Sequence, residues 1–413
     1  MNKITTILIS LFILLGCGTG KNINQTPELS LDKRELKVSL YPYIPNAESF
    51  YCRIEKLYEE KFPEIDLKVE LNSLNYYDHE GKGIIESEAD VYEIDAILLL
   101  DFIKRGKLQK LPAELIPNEQ SLLSVSSIAK LNNDDWFGYP HWACGNFLYL
   151  KNNDSEAIKT SNLSDIERIL SKNDDIQNSI FIDLKGTSTI GEHYFDALMD
   201  ELGDYNQARK YVSVDNINKS VLNNLNRVID VSYKDFGRND NYHDNTGFYG
   251  RQFARNKGRI MVGYSELLYY LIDENIKSCS KEDSCINQGN LTIKEWYFSD
   301  KGSNPISWVD VLSIDSKLTG QKLKDASDFI HFMISDEIYK EALIPKWGEA
   351  PRYLLPTKKS LFKNEDILKE APLYPNFYKI IQKAVSTTDD QLSPKLREIG
   401  RKLDKELLIE NKR

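Results

Sequence analysis

Only five of the 413 residues are cysteine and five are histidine, and neither type gathers into a pattern. His79, His141, His193, His243 and His331 stand far apart, which removes the paired spacings of a histidine metal centre. No H-E-x-x-H, G-x-S-x-G, Walker loop or G-x-G-x-x-G occurs, so zinc peptidase, serine hydrolase and nucleotide-binding chemistry have no motif to rest on. Positive charge is in deficit: 53 Lys and Arg stand against 63 Asp and Glu, a net charge of −10. The lysines are scattered rather than striped, which makes nucleic acid a poor partner and a neutral or cationic small molecule a better one. Internal repeats and low-complexity tracts are missing as well.

Long apolar runs are nearly absent. The exception is the N-terminus, MNKITTILISLFILLGCGTG, where Lys3 precedes an apolar stretch from Ile4 to Leu15. That stretch is shorter than the roughly 20 residues a membrane-spanning helix needs, and it reads as a secretory h-region. Leu14-Leu15-Gly16-Cys17 occupies the place of a bacterial lipobox, although Leu15 is larger than usual there. Residues 1–17 are therefore expected to be a signal peptide with lipidation at Cys17; a plain cleaved signal is the alternative. Residues 18–35 are polar and read as a tether. Either way the protein is exported: a periplasmic or cell-surface lipoprotein, or a secreted protein, touching membrane only through a lipid anchor.

Four cysteines remain. Export permits disulfides, and Cys279 and Cys285 bracket the short polar segment SKEDS, which suggests a local bridge. Cys52 lies in FYCRIEKLYEEKF, whose apolar residues recur at helical spacing, and reads as a small core residue. Cys144 is left unpaired inside FGYPHWACGNFLYLK. It is either a buried hydrophobe on a lobe-crossing strand or a reactive thiol. His141, three positions earlier, would fall on the opposite face of a strand, so the two are not expected to form a dyad.

A chain of this length exceeds one ordinary core. LKVSLYPYIP alternates like a strand, ESFYCRIEKLYEEKF is a helix, and IDLKVELNSL is a second strand. DVYEIDAILLL, SIFIDLKG, GRIMVGYSE and SWVDVLSID are further strand-like pieces separated by helical stretches. LKDASDFIHFMISDEIYKEAL reads as one amphipathic helix. The order predicts an α/β protein with a mostly parallel sheet: residues 36–142 and 306–348 form lobe 1, and 143–305 with 349–413 form lobe 2. This is the layout of a two-lobed type II periplasmic solute-binding fold, with its ligand in an interlobe cleft.

Five stretches in order, LKVSLYPYIP, DVYEIDAILL, FGYPHWACGNFLYLK, GRIMVGYSE and VDVLSIDSK, carry a specific likeness, with APRYLLP in support. From about Leu36 onward the chain resembles thiaminase I (thiamine pyridinylase). The resemblance implies a transferase that moves the aminopyrimidine methylene of thiamine from the thiazole to a small amine, thiol or other nucleophile. It implies thiamine as substrate, no cofactor, no metal and a monomer. Carried onto this chain, Cys144 is the nucleophile and Glu266 the base. Asp95 and Asp310 match acids beside the pyrimidine, and Tyr41, Tyr77 and Tyr264 match cleft tyrosines. One family tyrosine is missing: Gly247 stands at its position, with Tyr249 nearby.

The chemistry suits these residue types. The pyrimidine carbon beside the methylene is electrophilic, and a thiolate is the strongest side-chain nucleophile near neutral pH. The thiol and then the acceptor must each lose a proton, which a carboxylate can accept. Each acid has an ordinary alternative. Glu266 would be favoured in the first turn of a helix by the dipole alone. Burial would raise its pKa and the dipole would lower it. Asp95 and Asp310 could be surface acids at strand ends, and Tyr76 could replace Tyr77. The rival function is the substrate-binding lipoprotein of an ABC importer for thiamine or a related pyrimidine, which needs neither a thiol nor a base.

Overall fold

The computed structural model describes residues 33–71, 76–77, 83–131, 135–170, 175–184, 187–233, 247–279, 285–346, 348–386 and 391–410. The expected signal peptide, Cys17 and most of the tether lie outside the described residues. So does the side chain of Cys279, and with it the expected bridge to Cys285.

Twelve strands are described: β1 (Arg34–Ser39), β2 (Ile65–Glu70), β3 (Val91–Asp95), β4 (Lys130–Leu131), β5 (Asp135–Trp136), β6 (Tyr139–Cys144), β7 (Phe147–Lys151), β8 (Ile180–Phe181), β9 (Ile260–Gly263), β10 (Leu291–Glu295), β11 (Trp308–Ile314) and β12 (Leu355–Pro356). In β1 the alternation predicted from sequence holds, with Leu36 and Val38 buried while Glu35 and Lys37 face solvent. The helix Ala47–Lys61 buries Phe50, Ile54 and Tyr58 at four-residue spacing, and it ends where Pro63 forbids continuation.

The strands make two main sheets and one small pair. The larger sheet has the order β12-β6-β11-β3-β1-β2 and the smaller β10-β7-β9-β8. Sequence alternation suggested mostly parallel pairing, but both sheets are mixed. β1 runs parallel to β2 and β3, whereas β11 runs antiparallel to β3 and β6. The reason lies in the connections. A strand arriving from the other sheet enters at the edge where β3 and β6 end, so it must run against them.

The chain passes from one sheet to the other between β6 and β7, through Gly145 and Asn146 alone. It returns between β10 and β11. The two crossings nearly touch: a Cβ on Gly145 would lie 2.9 Å from the Ile306 carbonyl oxygen, so a larger residue there would push the crossings apart. β6 stays in the larger sheet through Cys144, and β12 joins that sheet at its edge beside β6.

Two local expectations change. The stretch read as one helix is two, Gly320–Met333 and Asp336–Leu343, because Ser335 caps the second by accepting from the Ile338 N–H. Cys52 is not a free core residue: it is disulfide-bonded, as is Cys285. Position 52 is only half-buried at the margin of the helix's apolar face, and the bond depends on a tertiary approach that periodicity does not encode.

Candidate active site

The cleft edge of the larger sheet collects side chains from four strands. Tyr41 follows β1, Asp95 ends β3, Cys144 ends β6 and Asp310 sits near the start of β11. The smaller sheet contributes Tyr264 and Glu266, in the turn after β9. The helix Thr187–Leu202 adds Thr189 and Glu192 from its first turns. All seven side chains expected to form the site, Tyr41, Tyr77, Asp95, Cys144, Tyr264, Glu266 and Asp310, line one cleft, and Cys144 is the free cysteine among the described residues.

Cross-strand register fixes the acids. Asp310 pairs directly with Asp95 across β11 and β3, and Trp308 pairs with Cys144 across β11 and β6. Both aspartates are buried rather than surface acids. Two carboxyls side by side in a dry cleft resist double ionisation. Burial raises both, and the charge of Asp95 raises Asp310 further: Asp95 lies at about 6 and Asp310 well above the usual carboxylate range. Asp95 is fixed by the Ile97 N–H at 3.0 Å and the Tyr77 hydroxyl at 3.1 Å.

The tyrosines sort themselves in the same network. Tyr77 reaches the cleft, with its hydroxyl 3.2 Å from that of Tyr41. Tyr76 lies behind it, fully buried, donating to the Glu93 carbonyl and accepting from the Asp95 N–H at 3.2 Å. Tyr77, not Tyr76, is the cleft residue. His141 points away from any dyad with Cys144, because its Nδ1 sits 2.5 Å from the buried Glu93 carboxylate. That carboxylate also accepts from the Tyr41 N–H and the Tyr51 hydroxyl, each at 3.1 Å.

Glu266 stands at the N-cap position of the helix Leu267–Glu274 without a side-chain capping bond, where the dipole would favour its carboxylate. Burial outweighs that effect and pushes it up to about 7, against its own N–H and a 3.1 Å bond from the Ser265 hydroxyl. The Cys144 thiol is raised well above its ordinary value by burial first, then by Glu266, Asp310, Asp95 and Glu192. Cys144 therefore rests as a thiol, and the Glu266 carboxyl in the same cleft is ionised from about neutral pH upward.

Around the acids stand Tyr43, Trp142, Trp308, Ile44 and Leu354, so the walls are aromatic and apolar, and among the described residues they carry no Lys, Arg or His. Such a cleft attracts a flat ring bearing positive charge. The free volume enclosed by the described residues is ≈ 40 Å³.

Comparison with known proteins fits this geometry. Residues 145–280 match the Thiaminase-1 domain family. Over 370 residues it is 23% identical to Thiaminase-1 of Paenibacillus thiaminolyticus, covering 88% of this chain and 84% of that protein. The solved thiaminase I from Bacillus thiaminolyticus superposes with a TM-score of 0.74 at 22% identity, covering 91% of this chain and 99% of the other. Clostridium botulinum thiaminase I in complex with thiamin gives 0.75 at 22% identity, covering 91% and 100%. A ribitol-bound ABC transporter solute-binding protein from Agrobacterium radiobacter gives 0.65 at 13% identity, covering 92% and 98%. The fold is thus the α/β, two-lobed type II solute-binding fold.

The matched segment, residues 145–280, holds Glu192, Tyr264 and Glu266, and Cys144 immediately precedes it. Gly247 lies in it too, and the glycine found where the resemblance implies a tyrosine has a local explanation. The residue takes φ 84° at the start of helix Phe248–Ala254, and a Cβ there would lie 2.0 Å from the Tyr270 ring. Tyr270 already fills the space, so no side chain fits at 247.

Sequence reasoning missed Glu192. Its carboxylate accepts from the Tyr264 hydroxyl at 2.5 Å, and burial lifts it to about 8. The signal was present in GEHYFDALMDELG, where Glu192, Asp196 and Asp200 recur every four residues along a helix that is otherwise buried.

Proposed function

We propose that this protein is a thiaminase I-like transferase that cleaves thiamine by base exchange through a covalent adduct on Cys144. The observation that carries the reading is the cleft itself: a free thiol, a carboxyl titrating near neutrality and a buried acid pair share aromatic walls that, among the described residues, bear no cationic side chain. Glu266 takes the thiol proton, and sulfur adds to the pyrimidine carbon beside the methylene. Electron density returning through the ring expels the thiazole as a neutral leaving group. The acceptor then adds at the exocyclic methylene and Cys144 departs. Asp95 and Asp310, sharing protons, hydrogen-bond the aminopyrimidine, while Tyr41, Tyr77 and Tyr264 flank the rings. Thiamine is a substrate here, and the scheme calls for no cofactor or metal.

The experiment is thiamine incubated with pyridine and the purified protein, with products identified by mass spectrometry. The pyridinium-exchanged pyrimidine and free thiazole should accumulate with turnover. Tight thiamine binding without products would instead assign an importer's binding protein. That rival leaves the Cys144 thiol beside Glu266 without a purpose.

Export and a lipid anchor at Cys17 complete the reading, with the catalytic unit working as a monomer at the cell surface or in the periplasm. Among the described residues no helix is long and apolar enough to cross a membrane. Mass spectrometry of the mature N-terminus should find diacylglyceryl on Cys17. An unmodified N-terminus elsewhere would reduce the signal to a plain cleaved one.

A further inference from the structure

We propose that Glu192, Asp196 and Asp200 form the exit path for the proton that a protic acceptor releases during base exchange. The inference rests on the base-exchange reading. Thiamine enters with one positive charge and its thiazole leaves neutral. An acceptor bearing N–H, O–H or S–H must therefore shed one proton per turnover, in addition to the thiol proton that Glu266 takes and returns. Pyridine has no such hydrogen; its product keeps the positive charge and nothing is released.

The three acids lie on one stripe of the helix Thr187–Leu202, each about 6 Å along the axis from the last. Glu192 opens on the cleft, bonded to Tyr264. Asp196 lies one turn on, where it accepts from the Asn146 side-chain amide at 2.9 Å, in the crossing next to Cys144. Asp200 accepts from the Phe298 N–H at 2.6 Å and the Ser303 hydroxyl at 2.9 Å, in the return crossing. Asp196 and Asp200 face a second cavity of ≈ 20 Å³ with Asn146, Trp296, Ser303 and Asn304, room for one water. The Trp296 indole N–H in its wall has no protein partner among the described residues, so the cavity offers a donor as well as acceptors. Ser303 is half-buried and Asn304 is exposed, which brings the far end of the stripe to solvent.

Burial raises all three acids, Glu192 and Asp196 to about 8 and Asp200 to about 7. A carboxyl that titrates near the working pH passes protons in either direction, accepting at one oxygen and releasing from the other. The positive charge of the bound substrate favours the ionised form of Glu192, preparing it to receive the acceptor's proton.

The test measures exchange of thiamine with aniline and with pyridine for wild type, Glu192→Gln and Asp196→Asn. The aniline-to-pyridine ratio of kcat should fall at least about tenfold in both variants, since each lost relay carboxyl removes a general-base contribution of that order or more. Added formate should restore part of the aniline rate in Glu192→Gln. A ratio that stays at the wild-type value, whether both rates fall together or neither changes, overturns the relay. Wild type that turns over neither acceptor while binding thiamine overturns the base-exchange reading instead, so the two failures are distinguishable.

Discussion

Cys144→Ser should lose at least about 10³-fold in kcat for thiamine exchange, with any nucleophilic acceptor, while still binding thiamine. The substitution keeps size and polarity but replaces the sulfur with a far weaker nucleophile. Among the described residues no histidine lines the cleft to activate a serine hydroxyl, and His141 is committed to Glu93. Binding should change little, since charge attraction and ring contacts come from Asp95, Asp310 and the aromatic walls. Trp142 and Trp308 line the cleft, so tryptophan quenching measures the affinity directly. With wild type, thiamine given without added acceptor should leave a pyrimidinylmethyl group on the tryptic peptide bearing Cys144. A serine variant with more than a tenth of wild-type turnover would remove covalent catalysis from the mechanism.

Glu266→Gln should cost 10²- to 10⁴-fold in kcat, the range for loss of a general base, as an estimate on the order of other enzymes. The pH profile separates this role from others. Glu266 works ionised, and burial holds it at about 7, so kcat/KM of wild type should fall about tenfold per unit as pH drops below that value. The limb should vanish in the glutamine variant. If it persists, a different acid controls it; Asp95 at about 6 would displace the limb by about one unit.

Much of the site was legible because its residues sit in short strand-end motifs whose order survives without the fold. LKVSLYPYIP, YEID, ACGN, GYSE and WVDVL each place one chemical group at a sheet edge, and the sheets then bring the edges together. The parts that were not legible are tertiary. The four-residue recurrence of acids in GEHYFDALMDELG marks Glu192, but its burial is not local, since Tyr264 and the cleft create it. FGYPHWACGNFLYLK read as one strand, yet it is two strands in different sheets, divided where Gly145 meets Ile306. The balance at Glu266 between helix dipole and desolvation likewise depended on how deeply the lobes bury it. Gly247 was legible only as a missing tyrosine, and Tyr270 supplies the reason.

The narrow crossing at Gly145 has a mechanical consequence. Cys144 sits one residue from the fulcrum between the lobes, whereas Glu266 and Glu192 ride on the far lever. When such a hinge swings open, the sulfur travels little and the carboxylates of Glu266 and Glu192 travel far. An open molecule would thus separate the thiol from its proposed base and, by exposing it, bring its pKa back toward the ordinary cysteine range. Ligand closure would arm it. Cys144 is the free cysteine among the described residues, and a sulfur at the pivot meets its proposed base only when a ligand has drawn the lobes together.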